Sequence, residues 1–113
     1  MKMRKLGSQG LQVSEMGLGC MGMDHGYGQS ADREAMTTLI HKAIELGCNL
    51  FDTAPIYGFE NEELLGNALK DHRENVVIAT KFGVLDMALV DGQPVPVLDS
   101  SPASIREQLD GSL

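Results

Sequence analysis

Apolar residues between Arg4 and Cys20 come in short bursts separated by glycine. Leu11 and Val13 alternate with Gln12 and Ser14, the period of a half-buried strand. Gly7-Ser8-Gln9-Gly10 is a turn signal, so residues 3–19 read as short strands, and Met16 to Cys20 is a compact apolar run rich in glycine. The period changes at Asp32. Met36, Leu39, Ile40, Ala43 and Ile44 recur on one face of a helix running to Leu46. Ser30 or Asp32 suits its N-cap, and Gly47 suits the position just past its end. Cys48 to Ala54 predicts a strand. Asn61 then caps a second helix with the stripe Leu64, Leu65, Ala68 and Leu69, and Asn75 to Phe82 predicts a third strand. Residues 84–100 predict a long connection in which Asp91-Gly92, flanked by apolar residues, signals a hairpin whose second arm is limited by Pro94 and Pro96. A third helix opens with Ser101 as cap and Pro102 at its first position, and its stripe is Ile105, Leu109 and Leu113.

Strand, helix, strand, helix, strand, with helices of about ten residues or more, is the signature of βα units on a parallel sheet. The stripe of the third helix stops at Leu113, so the pattern predicts an interrupted fold. An open sheet of this kind exposes its inward face and an unpaired edge, a route to self-association. With 113 residues the chain is one domain or less. Its formal net charge of -7 argues against nucleic acid and anionic membrane as partners, because phosphates are neutralised by Lys and Arg. No apolar run approaches a membrane span, and MKMRKLGSQG has no apolar block after its basic residues, so it does not read as a secretory signal. Cys20 and Cys48 are too few for a disulfide framework. They read as free thiols in a reducing cytoplasm, each a small buried hydrophobe.

Gly17-Leu18-Gly19-Cys20-Met21-Gly22 matches the dinucleotide-binding G-x-G-x-x-G literally. In that motif the helix opens at once, whereas here the polar stretch Asp24 to Ala31 intervenes, and no convincing acid follows at the ribose-binding distance. A glycine-permitted strand exit is the better reading. Met21 to His25 is a weak metal set, and His41 and His72 fall in helical segments as solvated or structural residues. The stretch FDTAPIYG, residues 51–58, carries more chemistry. Successive parallel strands lie about 4.8 Å apart, so their C-terminal ends share one rim. Asp52 ends one strand and Lys81 ends the next. Leu50 and Asp52 share a face, as do Val77, Ala79 and Lys81. If those faces point inward, a carboxylate and an ammonium meet where α/β enzymes place their sites, with Tyr57 on the loop above. A phenol titrates near about 10, and a neighbouring ammonium favours its ionised form, so the three residue types make a tuned proton donor. The plainer reading is a structural ion pair beside a packing tyrosine, and spacing alone leaves both open.

The sequence resembles the aldo-keto reductase family. The resemblance lies in Phe51-Asp52-Thr53-Ala54 with Tyr57-Gly58, in Asn61-Glu62-Glu63-Leu64-Leu65-Gly66, in Ala79-Thr80-Lys81-Phe82-Gly83 and in Ser101-Pro102-Ala103-Ser104-Ile105-Arg106. The start, Arg4-Lys5-Leu6-Gly7 with Val13 to Gly19, matches too, so the likeness runs through essentially the whole chain in order. It looks closest to the bacterial, fungal and plant branch that opens with Gly-Cys-Met-Gly-Met. The resemblance implies a (β/α)8 barrel, here partial, with an N-terminal β-hairpin that closes the barrel floor and about three βα units, broken off in the third helix. It implies reduction of aldehydes or ketones with NADPH, without a metal and on a small carbonyl substrate. Tyr57 would give the proton to the carbonyl oxygen, and Lys81 and Asp52 would lower its pKa. The backbone around Gly22 and Met23, together with Asp52, would lie beside the nicotinamide. Such a barrel takes about 250 residues, and the family's fourth-strand histidine and main cofactor clamp have no counterpart here. The 113-residue chain is therefore expected to have little reductase activity alone. A non-catalytic remnant or an interaction piece of the same fold is the alternative, since some relatives of this family serve as regulatory subunits. A free-standing flavodoxin-like domain suits the length less badly than a barrel does, but the motif set and the ending on Leu113 weigh against it. Met87, Leu89 and Val90 suggest an apolar wall of the site, or else a self-packed surface loop.

Overall fold

The computed structural model describes residues 1–23 and 32–113. Two strands, β1 (Met3–Leu6) and β2 (Leu11–Ser14), form an antiparallel hairpin around the predicted glycine turn, in which Gly7 and Gly10 both take positive φ. The short strands β3 (Leu18–Gly19), β4 (Leu50–Asp52) and β5 (Val77–Ala79) form a parallel sheet in the order β3-β4-β5. Helix α1 (Arg33–Glu45) connects β3 to β4, and α2 (Phe59–Leu69) connects β4 to β5. A second hairpin, β6 (Val84–Val90) and β7 (Gln93–Leu98), precedes α3 (Pro102–Ser112). The architecture is therefore an N-terminal hairpin followed by three βα units on a parallel sheet, with the second hairpin inserted in the third unit, the arrangement expected of part of a (β/α)8 barrel.

Pleating and register divide the sheet into two faces. Leu18, Phe51 and Ile78 sit side by side across the three strands, and all pack in the core beneath the helices. Phe51 is the centre of that core, with no solvent exposure, and Ile40 of α1 and Leu65 and Leu69 of α2 close over it. Gly19, Asp52 and Ala79 sit side by side on the opposite face, with Leu50 and Val77 one pleat below. That face is only half covered. The Cα radius of gyration, 15.5 Å, exceeds the about 13 Å of a compact domain of similar length, as expected of an open sheet with two projecting hairpins.

Local chemistry fixes the helix ends. Asp32 caps α1 by accepting from the Ala35 N–H at 2.7 Å; the alternative cap, Ser30, lies outside the described residues, as do the polar stretch 24–31 and His25. At the other end Gly47 takes φ 92°, and the Gly47 and Cys48 N–H groups donate back to the Ile44 and Ala43 carbonyls, both at 2.9 Å. This is a Schellman stop, which needs a residue tolerant of left-handed backbone. Ser101 caps α3 with Pro102 at the first helical position, as the sequence predicts. Asp91 and Gly92 form the predicted two-residue hairpin turn, with φ 51° and 76°, the sign that matches strand twist.

Four sequence expectations require correction. Asn61 does not cap α2: the helix begins at Phe59 behind Gly58, and Asn61 is buried inside its first turn. The strands expected over Cys48 to Ala54 and Asn75 to Phe82 shrink to Leu50–Asp52 and Val77–Ala79. Lys81 therefore lies just past its strand rather than ending it. Flanking backbone groups find other partners: the Cys48 N–H donates to the Ala43 carbonyl at 2.9 Å, the Ala54 carbonyl accepts from the Tyr57 N–H at 3.1 Å, and the Val76 carbonyl accepts from Arg73 at 3.3 Å. Leu39 shares the apolar period of α1 but is largely exposed, since α2 and the sheet cover only the arc through Met36, Ile40, Ala43 and Ile44.

Candidate active site

The N-terminal hairpin marks one end of the sheet. Asn49, just before β4, accepts from the Ser14 N–H at 2.6 Å through its side-chain oxygen, and its own N–H donates to Ser14 Oγ at 3.0 Å. The hairpin is thereby tied to the N-terminal ends of the strands. The opposite, C-terminal rim is left to β3, β4 and β5 and the loops that follow them, the end at which barrel enzymes carry their chemistry.

Asp52, Lys81 and Tyr57 meet at that rim. Lys81 Nζ donates to Asp52 Oδ2 at 2.7 Å and to the Thr53 carbonyl at 3.0 Å. The same ammonium lies 5.0 Å from the centroid of the Tyr57 ring, within reach of a cation–π contact. Tyr57 is carried there by a tight turn, Pro55–Tyr57, closed by the Gly58 N–H on the Pro55 carbonyl at 3.2 Å, with Gly58 at φ 112°. Burial pulls the Lys81 pKa down, but hydrogen bonding to Asp52 and polar contact with Tyr57 together outweigh it, and the net shift is upward. The lysine is held as an ammonium.

The side chains of Lys81 and Asp52 remain 46% and 47% exposed. An ion pair this open contributes little to stability, about 0–1 kcal/mol. It is better placed to meet something from solvent than to hold the fold. Above Gly19, on the face shared with Asp52, no atom of the described residues lies within 4 Å of where a Cβ would stand. Gly22 is exposed, whereas the Met23 side chain turns into the core, so Gly22 presents backbone at that side of the rim.

The remaining candidates fall elsewhere. His41 Nε2 lies 2.8 Å from the Ala68 carbonyl and ties α1 to α2, and its ring stands 5.6 Å from that of His72. Both cysteines are free and buried, and burial, followed by the Asp52 charge, pushes the Cys20 thiol from its ordinary 9.0 up to about 12. Met87, Leu89 and Val90 lie on the projecting hairpin and are largely exposed. Sequence reasoning missed Asn61, Thr53 and Glu62. Thr53 Oγ1 donates to Asn61 Oδ1 at 2.7 Å, Asn61 Nδ2 donates to the Cys20 carbonyl at 2.8 Å, and Glu62 accepts from Thr80 Oγ1 at 2.8 Å. Asn61 follows Tyr57 by four positions and reads as a helix cap, so no local signal distinguishes it.

The sequence profile of the Aldo/keto reductase family matches residues 15–113. Among solved structures, a Pseudomonas aeruginosa protein described as an aldo-keto reductase is 41% identical with a TM-score of 0.80, and the match covers 98% of this chain and 41% of that one. A holo-form aldo-keto reductase from Bacillus halodurans is 36% identical at TM-score 0.80, covering 100% of this chain and 35% of that one. The glycerol dehydrogenase of Gluconobacter oxydans is 32% identical at TM-score 0.70, covering 98% and 34%. The profile match over residues 15–113 and these likenesses place this protein in the aldo-keto reductase family. The chain spans about two fifths or less of the length of these structures. Among the described residues no helix is long and apolar enough to cross a membrane.

Proposed function

We propose that this chain supplies the proton-donating wall of an NADP(H)-dependent reductase that converts aldehydes or ketones to alcohols. One observation carries the reading: Lys81 Nζ is 2.7 Å from Asp52 and 5.0 Å from the Tyr57 ring at the open rim. Tyr57 is the group that gives its hydroxyl proton to the carbonyl oxygen. Lys81 is placed to stabilise the negative charge left on the phenol oxygen, and Asp52 and the Thr53 carbonyl keep the ammonium aimed there. The strong hydration of a free ammonium is replaced by fixed partners, so little reorganisation accompanies the transfer.

The residues present fit a nicotinamide on one side. Among the described residues, the space above Gly19, the carboxylate of Asp52 and the backbone of Gly22 and Met23 would form the floor under it. The bound cofactor supplies a hydride to the carbonyl carbon. This chain's part is to orient the carbonyl oxygen toward Tyr57 and to hold the proton until that moment. The two buried free thiols suit a reducing compartment, and we place the protein in the cytoplasm.

The test is a chimera in which this chain replaces the matching segment of the Pseudomonas aeruginosa relative. NADPH oxidation with a reactive aldehyde is expected, and Tyr57→Phe is expected to lower its rate by about 10²–10⁴. A folded chimera without turnover, or one indifferent to Tyr57→Phe, defeats the reading. The rival reading, a non-catalytic interaction piece, draws on the match to only 41% of the first relative's length. It predicts the inactive chimera. For the 113-residue chain alone little turnover is expected, and a rate comparable with that of a full-length relative would refute that expectation.

A further inference from the structure

Asn61 is fully buried, yet its neighbours on the same face of α2 are Leu64, Leu65 and Ala68. An apolar residue would fill that position, and a buried carboxamide is costly unless its hydrogen bonds are made. Here they are made to particular places. Oδ1 accepts from Thr53 Oγ1 at 2.7 Å, Nδ2 donates to the Cys20 carbonyl at 2.8 Å, and the Asn61 backbone N–H donates to the Gly58 carbonyl at 3.1 Å. Thr53 follows Asp52, Cys20 precedes the Met21–Met23 turn, and Gly58 follows Tyr57.

Thr53 is the junction. Its side chain is held by Asn61, its N–H donates to the Ala79 carbonyl at 2.8 Å, and its own carbonyl receives the Lys81 ammonium at 3.0 Å. A rotation of the Thr53 peptide would therefore move one of the two acceptors that aim Lys81. We propose that Asn61 is a positioning residue for the Asp52–Lys81–Tyr57 site, its carboxamide fastening the exits of β3 and β4 to the helix that follows the tyrosine turn. The geometry stands by itself; its purpose rests on the reductase reading above. Glu62 makes an analogous bond to Thr80 Oγ1 at 2.8 Å, beside Lys81, but this bond is exposed and water can replace it. The two neighbours thus predict different outcomes.

The experiment uses the isotopically labelled 113-residue chain and needs no turnover. The readouts are the NMR cross-peak between the Lys81 side chain and the Tyr57 ring, the titration of Lys81, and the Ile40 and Leu69 methyl signals as a measure of the core. Asn61→Ala and Thr53→Val are each expected to weaken the cross-peak about threefold or more, since both break the same buried link. Both are also expected to move Lys81 back toward its ordinary titration, with core signals intact. Thr53→Ser keeps the hydroxyl and is expected to match the parent, as is Glu62→Gln. The double variant Asn61→Ala/Thr53→Val is expected to be no worse than Asn61→Ala. Should Asn61→Ala fail to fold, the near-isosteric Thr53→Val decides alone. Unchanged cross-peak and titration in a folded variant overturn the proposal. So does a Thr53→Val chain that loses its core signals together with the contact, which would show a role in folding only. An inactive chimera would defeat the reductase reading and leave this result untouched.

Discussion

The two faces of the β3-β4-β5 sheet are built from alternate residues of the same short strands, yet they obey different rules. On the helix side, Leu18, Phe51 and Ile78 line up and are sealed by α1 and α2. On the other side, Gly19, Asp52 and Ala79 line up with Lys81 above them and remain half open. A βα unit buries its helix-facing residues with its own helix, needing no further strand. The Asp52–Lys81–Tyr57 arrangement is thus backed by Phe51 and by the Asn61–Thr53 link. The two faces should respond to substitution in opposite ways.

The largest effect on stability is expected at Phe51. Phe51→Ala should cost about 3–5 kcal/mol, the range for deleting a buried aromatic side chain. Leu50→Ala, one residue earlier on the half-covered face, should cost less than half as much. Denaturant midpoints at constant slope compare the two, and equal losses would remove the distinction between faces.

Next comes the alkaline limb. The folded chain holds the Cys20 proton up to about 12, whereas the unfolded thiol releases it near 9.0. Above that lower value the unfolded state binds fewer protons than the folded one, so stability falls as pH rises through this window. Cys20→Ala should flatten that slope, and an unaltered slope would show that the thiol is not its source. At neutral pH the buried thiol should resist iodoacetamide, because the thiolate is the nucleophile.

Asp52→Asn should change stability by less than about 1 kcal/mol, because the ion pair it breaks is half exposed. In the chimera the same change should lower carbonyl reduction far more than it lowers stability, since the ammonium loses its anionic partner at 2.7 Å. Gly19→Ala should have the smallest effect on folding. No atom of the described residues lies within 4 Å of the added Cβ, so stability should hold or rise by up to about 1 kcal/mol. Its cost should appear as weakened nicotinamide binding, read as a higher KM for the cofactor. A Gly19→Ala chimera with unchanged KM would move the cofactor floor elsewhere.

Much of this was legible in the chain itself. Helical periodicity located α1 and the stripe of α2, Gly47 marked a stop, Ser101-Pro102 marked a start, and Asp91-Gly92 marked a hairpin. These are local devices whose physics fits within a few residues. That Asp52 and Lys81 come near one rim was also legible, because parallel strands bring their ends together, although Lys81 lies past its strand and Tyr57 on the turn after β4. Strand lengths were not legible: Ala54 has strand-like composition, but its carbonyl accepts from the Tyr57 N–H of the turn that follows and not from a neighbouring strand.

Asn61 marks the boundary most clearly. As sequence it is a good helix cap, and its partners, Thr53 and Cys20, lie 8 and 41 positions away. Propensity and periodicity are properties of neighbours along the chain, and they determined the order of elements, their faces and the residue types of the site. Which buried amide finds which distant carbonyl depends on how helices and strands settle against one another. Only the tertiary structure decided that Asn61 ties strand exits together, that Lys81 reaches past its strand to two acceptors, and that Leu39 is left in water.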